Sequence, residues 1–387
     1  MKKIVIILWA VLGMCIPTAA QEVYSFGRQA AVSPEISENS VTFRYHAPKA
    51  HKVTVSPSWL GWGSSPIELT EGENGIWSVT VPKPESELYT YTFNVDGIST
   101  LDPSNIFVQR DGPRYSNGLL IEGGHADLYK EAQHKGNIHQ DWYWSASDGM
   151  ERRMYVYTPY GYEKGRNYPV LYLLHGGGGD EDAWCTLGRA RQILDNLIEQ
   201  GKAKPMLVVM PNGNPNQYAA GTLQIPTKKI ERQFTNNFNN YQSLAADILQ
   251  YIEQHYKVSK KRTDRAVAGL SMGGGQSFFV AFNHVDKFAN VGIFSNGLFG
   301  GNIGNGPFDG EKEVPGIFSN AGQFNKFDLL YISCGEQDDR LKGTNVVVDN
   351  FRRAGYAVTY ETYPGNHEWK VWRRNLASFV QQVLHSD

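Results

Sequence analysis

Near residue 130 the hydrophobic pattern of this 387-residue chain changes its period, and that change decides what it can fold into. From Ser33 to about Gly124, apolar and polar residues alternate. Val41, Phe43 and Tyr45 form one such set. Trp77, Val79 and Val81 form a second, and Tyr89, Tyr91, Phe93 and Val95 a third. A period of two marks strands with one buried face, the habit of antiparallel sheets. Glu73-Asn74-Gly75, Pro82-Lys83-Pro84, Asp96-Gly97 and Asp102-Pro103 supply the turns between them. Short strands punctuated in this way predict a small all-β sandwich of about 100 residues.

Beyond residue 130 the apolar runs become continuous. Residues 169–175 read PVLYLLH, and 206–210, 265–269, 291–294 and 328–334 are of the same kind. Such runs suit strands buried on both faces of a parallel sheet. Between them, Leu244, Ile248 and Ile252 fall on one helical stripe, and further helices are expected over 190–200 and 375–384. Strands alternating with helices predict an α/β domain with a mostly parallel, doubly wound sheet. The expected organisation is a leader over 1–20, a β-sandwich over 21–125 and an α/β domain over 126–387. Gly123-Gly124 and Asp111-Gly112-Pro113 mark the join.

The leader is read from its layout. Lys2 and Lys3 precede an apolar run from Ile4 to Ile16, and Thr18-Ala19-Ala20 places small residues before Gln21. This is the arrangement of a secretory signal peptide, and the run is short for a span, which takes about 20 apolar residues. Cys15 raises lipidation, but Met14 stands where that signal wants a small residue. A secreted chain, periplasmic or extracellular and without a membrane span, is therefore expected. Lys plus Arg number 37 against 39 Asp plus Glu, with no long basic run, which argues against a nucleic-acid partner. Cys185 and Cys334 remain after the leader, and two thiols are the expected state. With no Cys-x-x-Cys and no His-Glu-x-x-His, no metal site is predicted.

Gly269-Leu270-Ser271-Met272-Gly273 carries the chemistry. It follows an expected strand and opens an expected helix. At such a junction a serine between two glycines sits on a sharp turn with its hydroxyl clear of the sheet edge. Serine alone is a poor nucleophile; it needs a base, and the base needs an acid. Gly335-Glu336-Gln337-Asp338-Asp339 follows a later strand, and Pro364-Gly365-Asn366-His367 precedes the last helix. The order serine, acid, histidine is that of a doubly wound hydrolase. His367 is the expected base and Asp338 the expected acid, with Asp339 and then Glu336 as alternatives. The oxyanion needs two N–H donors: Met272, next to the serine, and Gly177 in His175-Gly176-Gly177-Gly178-Gly179, preferred over Gly176. A histidine base predicts hydrolysis declining as pH falls through roughly 6.5.

Other features are softer. Asp180-Glu181-Asp182 has the composition of a cation site but reads better as a solvated face. Trp184, Trp369 and Trp372 are candidates for an aromatic acyl slot, with core packing as the alternative. Trp59 and Trp62, in SWLGWGSS, are candidates for stacking on sugar rings. The glycine-rich stretch 296–320 has the length of a lid or binding loop.

Taken together, the chain resembles the bacterial feruloyl and acetylxylan esterases of carbohydrate esterase family 1, which are esterase D-like α/β-hydrolases. Many of them carry an N-terminal immunoglobulin-like module similar to carbohydrate-binding family 48. VTFRYHAP, GIWSVTV, YTYTFNVDG and LDPSN carry the likeness in the first domain. RRMYVYTPYGY, YPVLYLLHGGGGDEDAW, DNLIEQGKAKPMLVVMPNG, RAVAGLSMGGGQS, CGEQDD and GNHEW carry it in the second. The resemblance implies Ser271 as nucleophile, His367 as base and Asp338 as acid, with no cofactor. It also implies hydroxycinnamoyl or acetyl groups on plant cell-wall xylan as the target. An acetylxylan esterase and a siderophore trilactone esterase share this triad and stand as alternatives. From another class, a glycan-binding protein on an inactive hydrolase scaffold would need none of these residues.

Overall fold

The structure, a computed structural model, describes residues 31–61, 63–112, 114–163, 166–214, 243–300 and 308–384. Trp62, the leader over 1–20 and part of the 296–320 stretch lie outside the described residues. The chain divides into two compact units, the first built from 31–56, 65–83 and 93–105 and the second from the remainder.

The first unit is all β. Strands β1 (Glu35–Ile36), β2 (Ser40–His46), β3 (Val53–Pro57), β4 (Ile67–Glu68), β5 (Thr70–Glu71) and β6 (Ile76–Pro82) follow in order. They are joined by the last residues of β7 (Glu87–Val95) and by β8 (Ile98–Thr100). One antiparallel sheet runs β1-β2-β6-β5, and β3 pairs with β4 as β7 does with β8. The period-two alternation has its expected consequence: Val41, Phe43 and Trp77 are buried. Val53, Val55 and Phe93 are buried too, with the Phe93 ring edge-on to Phe43 at 6.2 Å.

In the second unit, Glu87 to Tyr91 of β7 pair with β10 (Arg114–Ile121), which pairs in turn with β9 (Val108–Asp111). Then come β11 (Asn137–Ser145), β12 (Met150–Thr158), β13 (Val170–Leu174), β14 (Leu207–Pro211) and β15 (Arg265–Leu270). The last three are β16 (Asn290–Phe294), β17 (Leu329–Gly335) and β18 (Val358–Tyr363). These form an eight-stranded sheet ordered β11-β12-β14-β13-β15-β16-β17-β18, antiparallel at its β11–β12–β14 end and parallel from there on.

The continuous apolar runs are explained by cover on both faces. Leu171 and Leu173 point into one core with Ile193, Leu197 and Phe379. Tyr172 and Leu174 point into the other with Ile252, Phe278 and Phe351. Full burial of such a side chain contributes about 1.5–3 kcal/mol. Helices α1 (Ala183–Thr186) and α2 (Ala190–Glu199) follow β13. Next come α3 (Leu249–His255), α4 (Met272–Asn283), α5 (Gly310–Glu313), α6 (Leu341–Arg353) and α7 (Trp369–Gln382). The Leu244, Ile248 and Ile252 stripe is wholly buried, with a wider turn over Leu244–Ile248 ahead of α3. α7 starts at Trp369, before the expected position, because Val371 and Trp372 already face the core. In the glycine-rich stretch, Phe299, Val314 and Ile317 are buried, while Asp309, Lys312 and Ser319 are exposed.

Candidate active site

β15 ends at Leu270 and α4 begins at Met272, leaving Ser271 as the single residue of the turn, at φ 51° and ψ −111°. A non-glycine residue at positive φ is held there only by its surroundings. The Ser271 N–H donates to the Phe294 carbonyl, and its own carbonyl accepts from the N–H groups of Gly275 and Gly297. The flanking glycines are required by close approach. A Cβ on Gly269 would lie 2.4 Å from the Gly273 carbonyl oxygen, and one on Gly273 2.5 Å from that of His175. The spacing G-x-S-x-G thus records how tightly strand, helix and the β13 exit pack around the serine.

Two further loops leave the same carboxyl edge. The one after β17 carries Asp338 and the one after β18 carries His367. They are zipped together: the Gln337 N–H donates to the Gly365 carbonyl at 2.9 Å, and the Gly365 N–H donates to Gln337 Oε1 at 2.6 Å. A Cβ on Gly335 would meet the Gly365 oxygen at 2.5 Å, so these loops touch backbone to backbone. The result brings the three expected residues into one chain of hydrogen bonds. His367 Nδ1 lies 2.7 Å from Asp338 Oδ2, and His367 Nε2 lies 2.9 Å from Ser271 Oγ.

The carboxylate can only accept, so Nδ1 donates to it, which leaves Nε2 as the nitrogen facing the serine hydroxyl. Burial pushes the Asp338 carboxyl up. The His367 hydrogen bond and charge and the Arg340 N–H outweigh this and hold it at about 2. Asp338 Oδ1 takes the Arg340 N–H at 3.0 Å and its guanidinium at 3.2 Å. Asp339 and Glu336 are exposed. The Trp372 and His367 rings pack at right angles, with their centroids 4.9 Å apart.

The glycine loop after β13 lies beside the serine: a Cβ on Gly176 would meet Ser271 Cβ at 3.4 Å. Gly177 is exposed, and Met272 takes the first position of α4, where an N–H has no partner within the helix. His175, buried at the loop's start, fixes the geometry. Its Nε2 accepts the Gly213 N–H at 2.9 Å, so its Nδ1 donates to the Gly176 carbonyl at 2.8 Å. Burial lowers its pKa and keeps the ring neutral.

Two expectations are corrected. Asp180 and Glu181 are 3% and 1% exposed, so this acidic run is no solvated face. Asp180 pairs with Arg110, and Glu181 pairs with Arg153 at 2.8 Å and accepts from Asn212 at 2.9 Å. Trp184 is 1% exposed, with its N–H on the Leu174 carbonyl, and belongs to the core rather than to a slot. Trp369 is half-buried and edge-on to both Trp184 and Trp372. Trp59 is half-buried against Tyr89. Cys185 and Cys334 are free thiols. Sequence reasoning missed Gln337 and His175 as supporting groups; the glycines against which they pack were the available signal.

A doubly wound sheet with a strained serine, a histidine and a carboxylate at its carboxyl edge defines the α/β-hydrolase class. The Esterase family ("Putative esterase") matches residues 145–383, and Carbohydrate-binding module 48 (Isoamylase N-terminal domain) matches 26–107. The chain therefore belongs to this esterase family. It is 31% identical over 361 residues to an endo-1,4-beta-xylanase/feruloyl esterase of Xylanibacter ruminicola, covering 90% of this chain but 45% of that relative. The chain thus spans about half of that protein. Among solved structures, a CE1 ferulic acid esterase from Anaeromyces mucronatus is similar at a TM-score of 0.55 and 22% identity. That match covers 67% of this chain and 95% of the other. An enterobactin esterase from Shigella flexneri is similar at a TM-score of 0.64 and 14% identity, covering 91% and 96%. These two likenesses concern the fold.

Proposed function

We propose that this protein is a secreted serine carboxylic-ester hydrolase that removes feruloyl groups from arabinoxylan. The unbroken chain Asp338–His367–Ser271 carries the reading of mechanism, and the likeness to the xylanase/feruloyl esterase supports the substrate. His367 Nε2 takes the Ser271 proton as Oγ attacks the ester carbonyl. The carbonyl oxygen becomes an oxyanion facing the N–H groups of Met272 and Gly177; losing one such donor costs about 10²–10³ in rate. The protonated His367, held by Asp338, then gives its proton to the departing sugar oxygen, leaving the acyl group on Ser271. Water, deprotonated by the same nitrogen, attacks the acyl-enzyme and releases the acid. The first unit, matched by the carbohydrate-binding module, is a proposed contact with the polysaccharide; Trp59 is a proposed stacking residue for a sugar ring, and Trp369 a proposed residue of the acyl slot.

The test compares the protein with Ser271→Ala on feruloylated arabinoxylan and on acetylated xylan. Ferulate release should fall at least about 10⁴-fold in the variant. Acetate in place of ferulate would keep the mechanism and change the acyl group. No serine-dependent release from either polymer would overturn the reading.

A further inference from the structure

Four successive glycines, Gly176 to Gly179, give the oxyanion loop little stiffness of its own. Within the loop, the Gly179 N–H donates to the Gly176 carbonyl at 3.2 Å. Oxyanion donors are effective only when held in place before charge develops. Besides Asn214, which donates to the Gly179 carbonyl at 2.9 Å, the loop is held from outside by a segment that neither family match includes, since one ends at residue 107 and the other begins at 145.

That segment is the β9–β10 hairpin. Arg110, on β9, sends NH1 to Asp180 Oδ2 at 2.6 Å and NH2 to Asp180 Oδ1 at 2.8 Å, a two-pronged pairing with the residue that ends the glycine run. NH2 also reaches Asp182 Oδ2 at 3.1 Å. NH1 donates to the Gly112 carbonyl at 3.0 Å, tying the pairing to the hairpin's own turn. At that turn Gly112 sits at φ 57°, where a Cβ would lie 2.3 Å from the Gly178 carbonyl oxygen. Gln109 Nε2 donates to the Thr186 carbonyl at 2.9 Å, so the strand is anchored on α1 as well. The carboxylates raise the guanidinium's pKa further, so Arg110 stays charged at any working pH.

We infer that Arg110 is a positioning residue for ester hydrolysis: through Asp180 and Gly112 it presets the glycine loop that receives the oxyanion. The inference rests on the proposed esterase reading. Arg110 touches neither the serine nor the substrate carbonyl in this scheme. Its loss loosens the donors in the transition state and leaves ground-state binding alone. A fork is required as well as a charge, because a lysine ammonium cannot span both carboxylate oxygens.

The experiment uses the full chain and a soluble feruloyl ester, with Arg110→Ala, Arg110→Lys, Gly112→Ala and, as a control, the exposed Arg114→Ala. Wild-type turnover establishes the reading on which the inference rests; its absence would remove that reading, a separate outcome. Given turnover, Arg110→Ala should lower kcat by about 10–10²-fold with KM changed less than about threefold. Gly112→Ala should show the same pattern without a change of charge, Arg110→Lys should fall between, and Arg114→Ala should match wild type. An arylboronic acid, which forms a tetrahedral adduct on the serine, should lose affinity by the same factor as kcat, while ferulate should bind unchanged. Wild-type kcat in folded Arg110→Ala would overturn the inference. So would equal losses for boronate and ferulate, because a general loosening of the fold has no reason to spare the ground state.

Discussion

The two walls around Ser271 are held by different forces. On one side the serine turn is fixed by backbone packed against backbone. Gly269 and Gly273 leave no room for a methyl group, and the turn's hydrogen bonds run to the main chain of Phe294, Gly275 and Gly297. On the other side the glycine loop is fixed by charged and polar side chains, from distant segments in Arg110, Arg153 with Glu181, and Asn214 on the Gly179 carbonyl, and from its own start in His175. The first wall follows from how strand and helix meet and is sensitive to volume. The second is assembled from long-range pairs and is sensitive to charge. One site thus combines a rigidly held serine with a loop whose stiffness is supplied largely by other segments.

If that contrast is right, the largest structural effect should come from unpairing a buried charge on the loop side. Glu181→Ala leaves the Arg153 guanidinium buried without its carboxylate, which costs about 3–5 kcal/mol. Denaturant unfolding should show a lower midpoint, and a loss under 1 kcal/mol would mean that the loop is not held by charge. The serine side should answer to size instead. Gly273→Ala places a methyl group against the carbonyl oxygens of His175 and Leu174, both fixed backbone, at a cost of about 1–3 kcal/mol. Its turnover should fall further than stability alone explains, since the Ser271 turn must open to admit the methyl. Calorimetry alongside ester hydrolysis separates the two losses.

The same contrast explains what was legible in the sequence. Ser271 could be read because volume leaves local traces: two glycines at fixed spacing after an apolar strand. The parallel strands were legible for a similar reason, since Leu171 to Leu174 fill both cores without interruption. Side-chain pairing leaves no such trace. Asp180 and Glu181 look solvated because their partners stand 70 and 28 positions away. Strands β11 and β12 carried no assignment, as the buried Arg152 and Arg153 interrupt the apolar pattern of β12. Asp338 and Asp339 differ by one step along a turn. Only the backbone direction there decides which carboxylate meets His367 and which stays exposed. Trp184 was open to two readings because a tryptophan beside a glycine loop serves a core as well as a pocket.

A third effect, of similar size to the steric one near neutrality and vanishing in acid, separates charge from packing through pH. Asp338 is held at about 2 in the folded protein, below the ordinary carboxylate value of about 3.9 in an unfolded chain. A depressed folded value means that the ionised group stabilises the fold above the unfolded value. That contribution is lost as pH falls from there through about 2. It is on the order of 2 kcal/mol, and Asp338→Asn removes it. Unfolding free energies measured from pH 6 down to 2 should therefore show wild type ahead of Asp338→Asn near neutrality and the gap closing in acid. Gly273→Ala, whose cost is steric, should run parallel to wild type across the same range. A gap between wild type and Asp338→Asn that stays constant to pH 2 would show that Asp338 is kept in place by shape, and that the charge-held side of the site stops short of the acid.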